Sequence, residues 1–233
     1  AQQGKEQAAL VEKMLGDADL MKQMLVADGA NAKREGRRGY GPAQYGQAMK
    51  IYTDIQNVTK KAATGVLQRL ALAISLEHAV PIGQANPTAQ TDAPETLDPV
   101  KRYLHYEKAY LGGELDPAFE RLSTWELRMV ANGDEPDETL AWEREMLRNY
   151  RPDHIYNSNF GWRYVSIVGS DVKYGSGDVK HDRPELQRYQ NILMNGGVCG
   201  RRAFIGRFIL RAFGIPTIAR PSRGHGALAH CTQ

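Results

Sequence analysis

Cysteine is scarce: Cys199 and Cys231 are the two in a chain of 233 residues. Two thiols cannot build the disulfide framework of a small secreted scaffold, so neither is needed to hold the fold and the redox compartment stays open. Long hydrophobic runs are also missing. The longest, LALAISL at residues 70–76, is far short of the roughly 20 residues of a membrane helix, so no membrane span is expected. Charge of one sign is not concentrated either. The 30 Lys and Arg residues are interspersed with 27 Asp and Glu for a net charge of +3, which argues against nucleic acid as a partner. No internal repeat suggests a solenoid. The chain opens on AQQGKEQ, without a methionine or a signal-like apolar stretch, which points to a processed or a trimmed N-terminus; processing would suggest a secreted, periplasmic or organelle-lumen setting.

What is present is an ordinary globular composition, 42% hydrophobic and 24% charged, enough for one substantial core or two modest ones. The first 150 residues read as helices. Apolar spacing predicts a helix over residues 5–25, closed by Asp28 and Gly29, and a second over 43–78, kinked at Gly65 and stopped before Pro81. Between them, residues 31–42 form a basic, Gly-rich linker. The Pro- and Thr-rich stretch 81–99 reads as an irregular connection and an internal boundary. Helices are expected again over 99–111, 117–132 and 137–149. After Arg151 the texture turns β-rich through FGWRYVSIVGSDVKYGSGDVK, as either two extended segments or a long loop. A helix is then expected from Asp182, with Pro184 in its first turn, to a stop at Asn195-Gly196-Gly197. Another follows from Cys199, its apolar face formed by Ala203, Phe204, Phe208, Ile209, Ala212 and Phe213, and Gly214 and Pro216 end it. Residues 217–219 and 226–232 read as strands around an RPSRG turn. The resulting fold class is α+β, with a helical region over 1–150 and a second region over 151–233.

The position of Cys199 carries the chemistry. A helix start presents unsatisfied N–H groups and the positive end of the dipole, and both favour a thiolate. The same amides can bind the oxyanion of a tetrahedral intermediate. Gly196, Gly197 and Gly200 leave out side chains that would crowd an incoming acyl group. A thiolate nucleophile also needs a base, and the downstream histidines are His225 and His230. Strand alternation puts them on opposite faces, so at most one of the two can meet Cys199; a bulge at Gly226 could change this count, and the alternation does not choose between them.

The run GGVCGRRAFIGRFILRAFGIPTIARP followed by GHGALAH resembles the core of the transglutaminase-like superfamily. Gly197-Val198-Cys199, Arg211, Gly214-Ile215-Pro216-Thr217 and Arg220 stand where that family has a Gly-x-Cys helix start, an arginine near the helix end and a Gly-Ile-Pro entry into a strand. The match covers about residues 190–233. It implies a partial papain-like core in which a Cys-His-Asp triad performs acyl transfer or amide hydrolysis on peptide or glutamine carboxamide groups. Cys199 would be the nucleophile, His225 or His230 the base, and Gly197 and Gly200 would lie at the substrate and oxyanion side. His225, followed by GALAHCT, suits the family's layout better. The family's Asp or Asn lies on the strand after the histidine, beyond Gln233. A histidine without its orienting partner loses tautomer control, so these residues alone are expected to be nearly inactive.

The resemblance implies no cofactor, and spacing favours no metal. On a regular strand His225 and Cys231 would be about 20 Å apart, too far to chelate zinc together. GSDVKYGSGDVKHD lacks the calcium-loop spacing, and GYGPAQYG lacks the Lys-Ser/Thr of a phosphate loop. Two functions remain. One is a cysteine acyltransferase or hydrolase with a protein or peptide substrate; the other is a non-catalytic structural subunit of a larger complex that retains a degenerate core.

Overall fold

Local signals place most helix ends in the computed structural model, which describes residues 5–30, 43–175, 177–220 and 225–230. The basic linker at 31–42, residues 221–224 of the expected turn, and Cys231 lie outside the described residues. The described chain is mostly helical with one two-stranded sheet, an α+β protein at that coarse level. It divides into two compact units, and each draws on separated stretches of sequence.

The first unit is built from residues 1–82, 98–113 and 117–132. Its helices are α1 (Lys5–Gly16), α2 (Ala18–Ala27), α3 (Tyr45–Val58), α4 (Gly65–Glu77), α5 (Pro99–Leu111) and α6 (Thr124–Ala131). The expected first helix is broken, because Asp17 takes an extended conformation and its carboxylate accepts from the Leu20 amide, capping α2. The second is likewise split by a 3₁₀ turn at Lys60–Ala63 and by Gly65 at φ +61°. The apolar run 70–76 lies in α4, where every residue from Leu70 to Leu76 is buried, since α2, α3, α5 and α6 all pack around it. Asp98 and the Ser123/Glu126 capping box start α5 and α6.

The second unit contains residues 83–97, 114–116 and 133–233. Residues 133–150, which the sequence reading groups with the N-terminal helices, therefore group with the C-terminal part. Its helices are α7 (Asp137–Tyr150), α8 (Pro152–Ile155), α9 (Ile167–Ser170), α10 (Arg188–Asn195) and α11 (Cys199–Ala212), and its strands are β1 (Thr217–Ala219) and β2 (Leu228–His230). The central element is α11, which packs against α7, α9, α10 and both strands. The irregular stretch 83–97 joins this unit through Ala85 N–H to Asp134 O (2.7 Å) and Ala89 N–H to Pro184 O (3.0 Å).

The described residues of 160–180 hold no strand, so of the two expected alternatives the extended one does not hold. They form short helical turns closed by local bonds such as Tyr164 N–H to His154 O at 2.8 Å, and the buried His154 ring bonds Ser166. Tyr164 has φ +67° and sends its hydroxyl to Asp116 at 2.6 Å, a backbone conformation that breaks any strand there. The expected helix start at Asp182 is also displaced: Pro184–Leu186 form a turn, and α10 begins at Arg188 with a Gln187/Gln190 capping box.

Candidate functional site

The turn between α10 and α11 sets the position of Cys199. Gly196 caps α10 at φ +70° and Gly197 follows at φ +154°, so both occupy backbone conformations that disfavour a side chain. A Cβ on Gly196 would stand 2.1 Å from the Lys173 carbonyl oxygen, and one on Gly197 would stand 2.5 Å from Arg201 Cδ. These two glycines are buried and admit close packing. They do not open space around the sulfur, as the sequence reading has it. The Gly197 amide donates to Lys173 O (3.0 Å) and its carbonyl accepts from Gly175 N–H (3.4 Å). That amide is therefore engaged, which removes it as an oxyanion donor.

Arg201 lies across Gly197 to reach Asp182, with Nη2 to Oδ1 at 3.0 Å, and Asn195 Nδ2 donates to the same carboxylate at 2.9 Å. The Arg201 hydrogen bonds hold the Asp182 carboxyl below the usual carboxylate range. Asp182 thus clamps the turn and does not cap a helix. This role has no local signal, because its partners lie 13 and 19 residues away.

Cys199 is a half-buried free thiol at the first residue of α11, whose N-cap, Val198, offers no side-chain bond. The Gly226 amide donates to its Sγ at 3.4 Å. A Cβ on Gly226 would stand 2.9 Å from Gly200 Cα, so the strand-entry loop rests directly on the helix start. Gly200 itself is exposed.

His225 immediately precedes Gly226 and is exposed. His230 is elsewhere. It pairs with Thr217 in the antiparallel β1–β2 ladder, and burial holds its ring below the usual histidine range. Along β2 it shares a face with Leu228, whose Cδ2 occupies the space a Cβ on Gly206 would need (2.3 Å). Gly206 is seven residues past Cys199, about 10 Å along the helix axis. The strand therefore runs beside α11 and away from the sulfur, and His230 lies four residues, about 13 Å of extended chain, beyond Gly226. The structure brings the chain at His225–Gly226 to Cys199 and carries His230 off.

At the far end of α11, Arg211 makes a buried ion pair with Glu135 at 3.1 Å. The helix closes with Gly214 N–H to Arg211 O and Ile215 N–H to Leu210 O, both 2.9 Å, and Gly214 at φ +74°. That pair of hydrogen bonds closes a left-handed helix stop, and it directs the chain into β1. Among the described residues no group of three His, Cys, Asp or Glu side chains is placed to hold a metal ion, and no helix is long and apolar enough to cross a membrane. Compared with known proteins, the chain matches no family model, no curated protein and no solved structure.

Proposed function

We propose that the C-terminal unit carries a transglutaminase-like, cysteine-dependent site for acyl transfer or amide hydrolysis, with Cys199 as nucleophile and His225 as base. The observation that supports this reading is the 3.4 Å hydrogen bond from the Gly226 amide to Cys199 Sγ. The bond ties the residue after His225 to the nucleophile, so the loop that carries the base rests on the sulfur.

In this reading His225 takes the thiol proton as sulfur attacks the carbonyl carbon of a peptide or glutamine carboxamide. The S–C bond forms and negative charge moves to the carbonyl oxygen, toward the Cys199 and Gly200 amides at the helix start. The C–N bond then breaks as the imidazolium gives its proton to the departing amine or ammonia. Water or a second amine, deprotonated by the same ring, attacks the thioester and releases the thiolate, which regains the proton.

The test is acylation by an activated ester of a short peptide acid, which supplies a good leaving group. A thioester should appear on the peptide containing Cys199 and not on the one containing Cys231, be removed by hydroxylamine, and form at least tenfold more slowly in His225→Ala, the low end for loss of a general base being about a hundredfold. If Cys199 is acylated no faster in the folded protein than in urea, the catalytic reading fails and the non-catalytic structural one replaces it.

A further inference from the structure

We propose that Arg202 and Tyr174 form the acyl-donor side of the Cys199 site and select donors that carry a carboxylate close to the scissile carbonyl, as an acidic peptide does. The proposal rests on the reading of Cys199 as the nucleophile.

Two arginines follow Cys199, and their surroundings differ. Arg201 is spent on Asp182 and on covering Gly197. Arg202 is three residues past Cys199, hence on the same face of α11 and within about 5–6 Å between Cβ atoms. Its Nη1 donates to the Val172 carbonyl, a neutral acceptor, and among the described residues no carboxylate pairs with it. A guanidinium carries five N–H donors in a planar fork suited to a carboxylate, and most of this one's remain open. The side chain is half-buried, so the fork is held yet reachable. α11 also has no acidic residue of its own in its first turn.

Tyr174 completes the surface. The residue is 70% exposed, with Arg202 Cζ 5.7 Å from its ring centroid. An aromatic ring so exposed is usually mobile, but here the chain on both sides is fixed. Lys173 O and Gly175 N–H both bond Gly197, two residues before the nucleophile. The segment that presents Tyr174 is therefore tied to the same turn that presents Cys199. A substrate acyl group joined to the sulfur would meet a ring for its apolar part and a guanidinium for its anionic part.

Two alkylating reagents of equal reach test this without any need for turnover. Iodoacetate and iodoacetamide both form an S–C bond to the cysteine sulfur with loss of iodide, and they differ in a carboxylate against a neutral amide. The quantity measured is the ratio of their rate constants at Cys199, followed by peptide mass mapping at low salt. The same ratio in the urea-unfolded protein is the reference, and the neutral reagent is the control within each variant. The folded protein should favour iodoacetate by about threefold or more over the reference, the range expected of a partly exposed charge pair. Arg202→Gln should return the ratio to the reference, Arg202→Lys should keep part of the preference, and added salt should erode it in the wild type. Fast labelling by iodoacetamide with a ratio no higher than in urea, or a ratio indifferent to Arg202→Gln, overturns the proposal and leaves the nucleophile reading standing. Slow labelling by both reagents overturns the two together.

Discussion

Gly226 and Gly200 meet over the first turn of α11 so closely that a methyl group on Gly226 would stand 2.9 Å from the Gly200 Cα, and this approach lets the Gly226 amide reach Cys199 Sγ. The contact is backbone against backbone, with no flexible side chain to yield. Gly226→Ala should therefore lift the loop, lose the N–H···S bond and cost about 1–3 kcal/mol through overpacking. Alkylation of Cys199 at pH 7 should slow at least about threefold, in line with the loss of a hydrogen bond worth about 1 kcal/mol. A urea titration and a labelling time course on the same variant check both parts. Unchanged labelling would show that this donor does not govern the thiol.

At the other end of α11, Gly214 holds φ +74° and closes the helix onto β1. Gly214→Val forces a branched side chain into left-handed backbone, and the loss should be roughly 1–2 kcal/mol or more. Because β1 pairs with β2, which the Gly226 loop enters, thiol reactivity should fall along with stability. A variant that melts like the parent and labels at the same rate would dissociate this turn from the geometry at Cys199.

Glu143 on α7 is buried, and desolvation pushes its carboxyl up to about 8. The ordinary value in the unfolded chain is 4.5. Between those two pH values the folded protein holds a proton that the unfolded chain has released, so stability falls as pH rises through that window and levels off above it. The total loss is on the order of a few kcal/mol. Glu143→Gln should remove this fall while leaving stability near pH 5 little changed. Denaturant midpoints at pH 5, 6, 7 and 8 supply the comparison, and parallel curves for the two proteins would contradict it.

The buried Arg211–Glu135 pair should behave as a unit. Arg211→Met removes the guanidinium that pairs with the buried Glu135 carboxylate, at a cost of up to about 3–5 kcal/mol. Adding Glu135→Leu should recover much of that loss. A double variant no more stable than Arg211→Met alone would mean that the arginine matters for its packing and not for its charge.

Much of α11 was legible because its determinants are local. Ala203, Phe204, Phe208, Ile209, Ala212 and Phe213 recur at helical spacing and are all buried, and Gly214 before Pro216 stops the helix through its own backbone preference. The same holds for α5, where Asp98 and Pro99 form a cap and first turn side by side. Position 17 was less legible, since the spacing of apolar residues continues across Gly16-Asp17-Ala18-Asp19 and only the turn of the Asp17 carboxylate onto the Leu20 amide shows a new helix start. For residues 160–180 the sequence left two extended segments or a long loop open, and the choice fell to contacts at a distance: His154 bonds Ser166 and accepts from the Tyr164 amide, and Tyr164 reaches Asp116.

The sequence by itself determined that Cys199 begins a helix, since two glycines precede it and an apolar stripe follows. Its resemblance to a known family favoured His225 over His230, but its own residue pattern did not choose between them. Strand alternation only separates those two, whereas distance from the sulfur depends on where β2 enters, and that is decided where Gly226 settles on Gly200. Likewise only the tertiary structure joined Asp182 to Arg201, Glu135 to Arg211 and Lys173 to Gly197. These partners lie 19, 76 and 24 residues apart in sequence, and no local preference specifies them; chain closure around one core does.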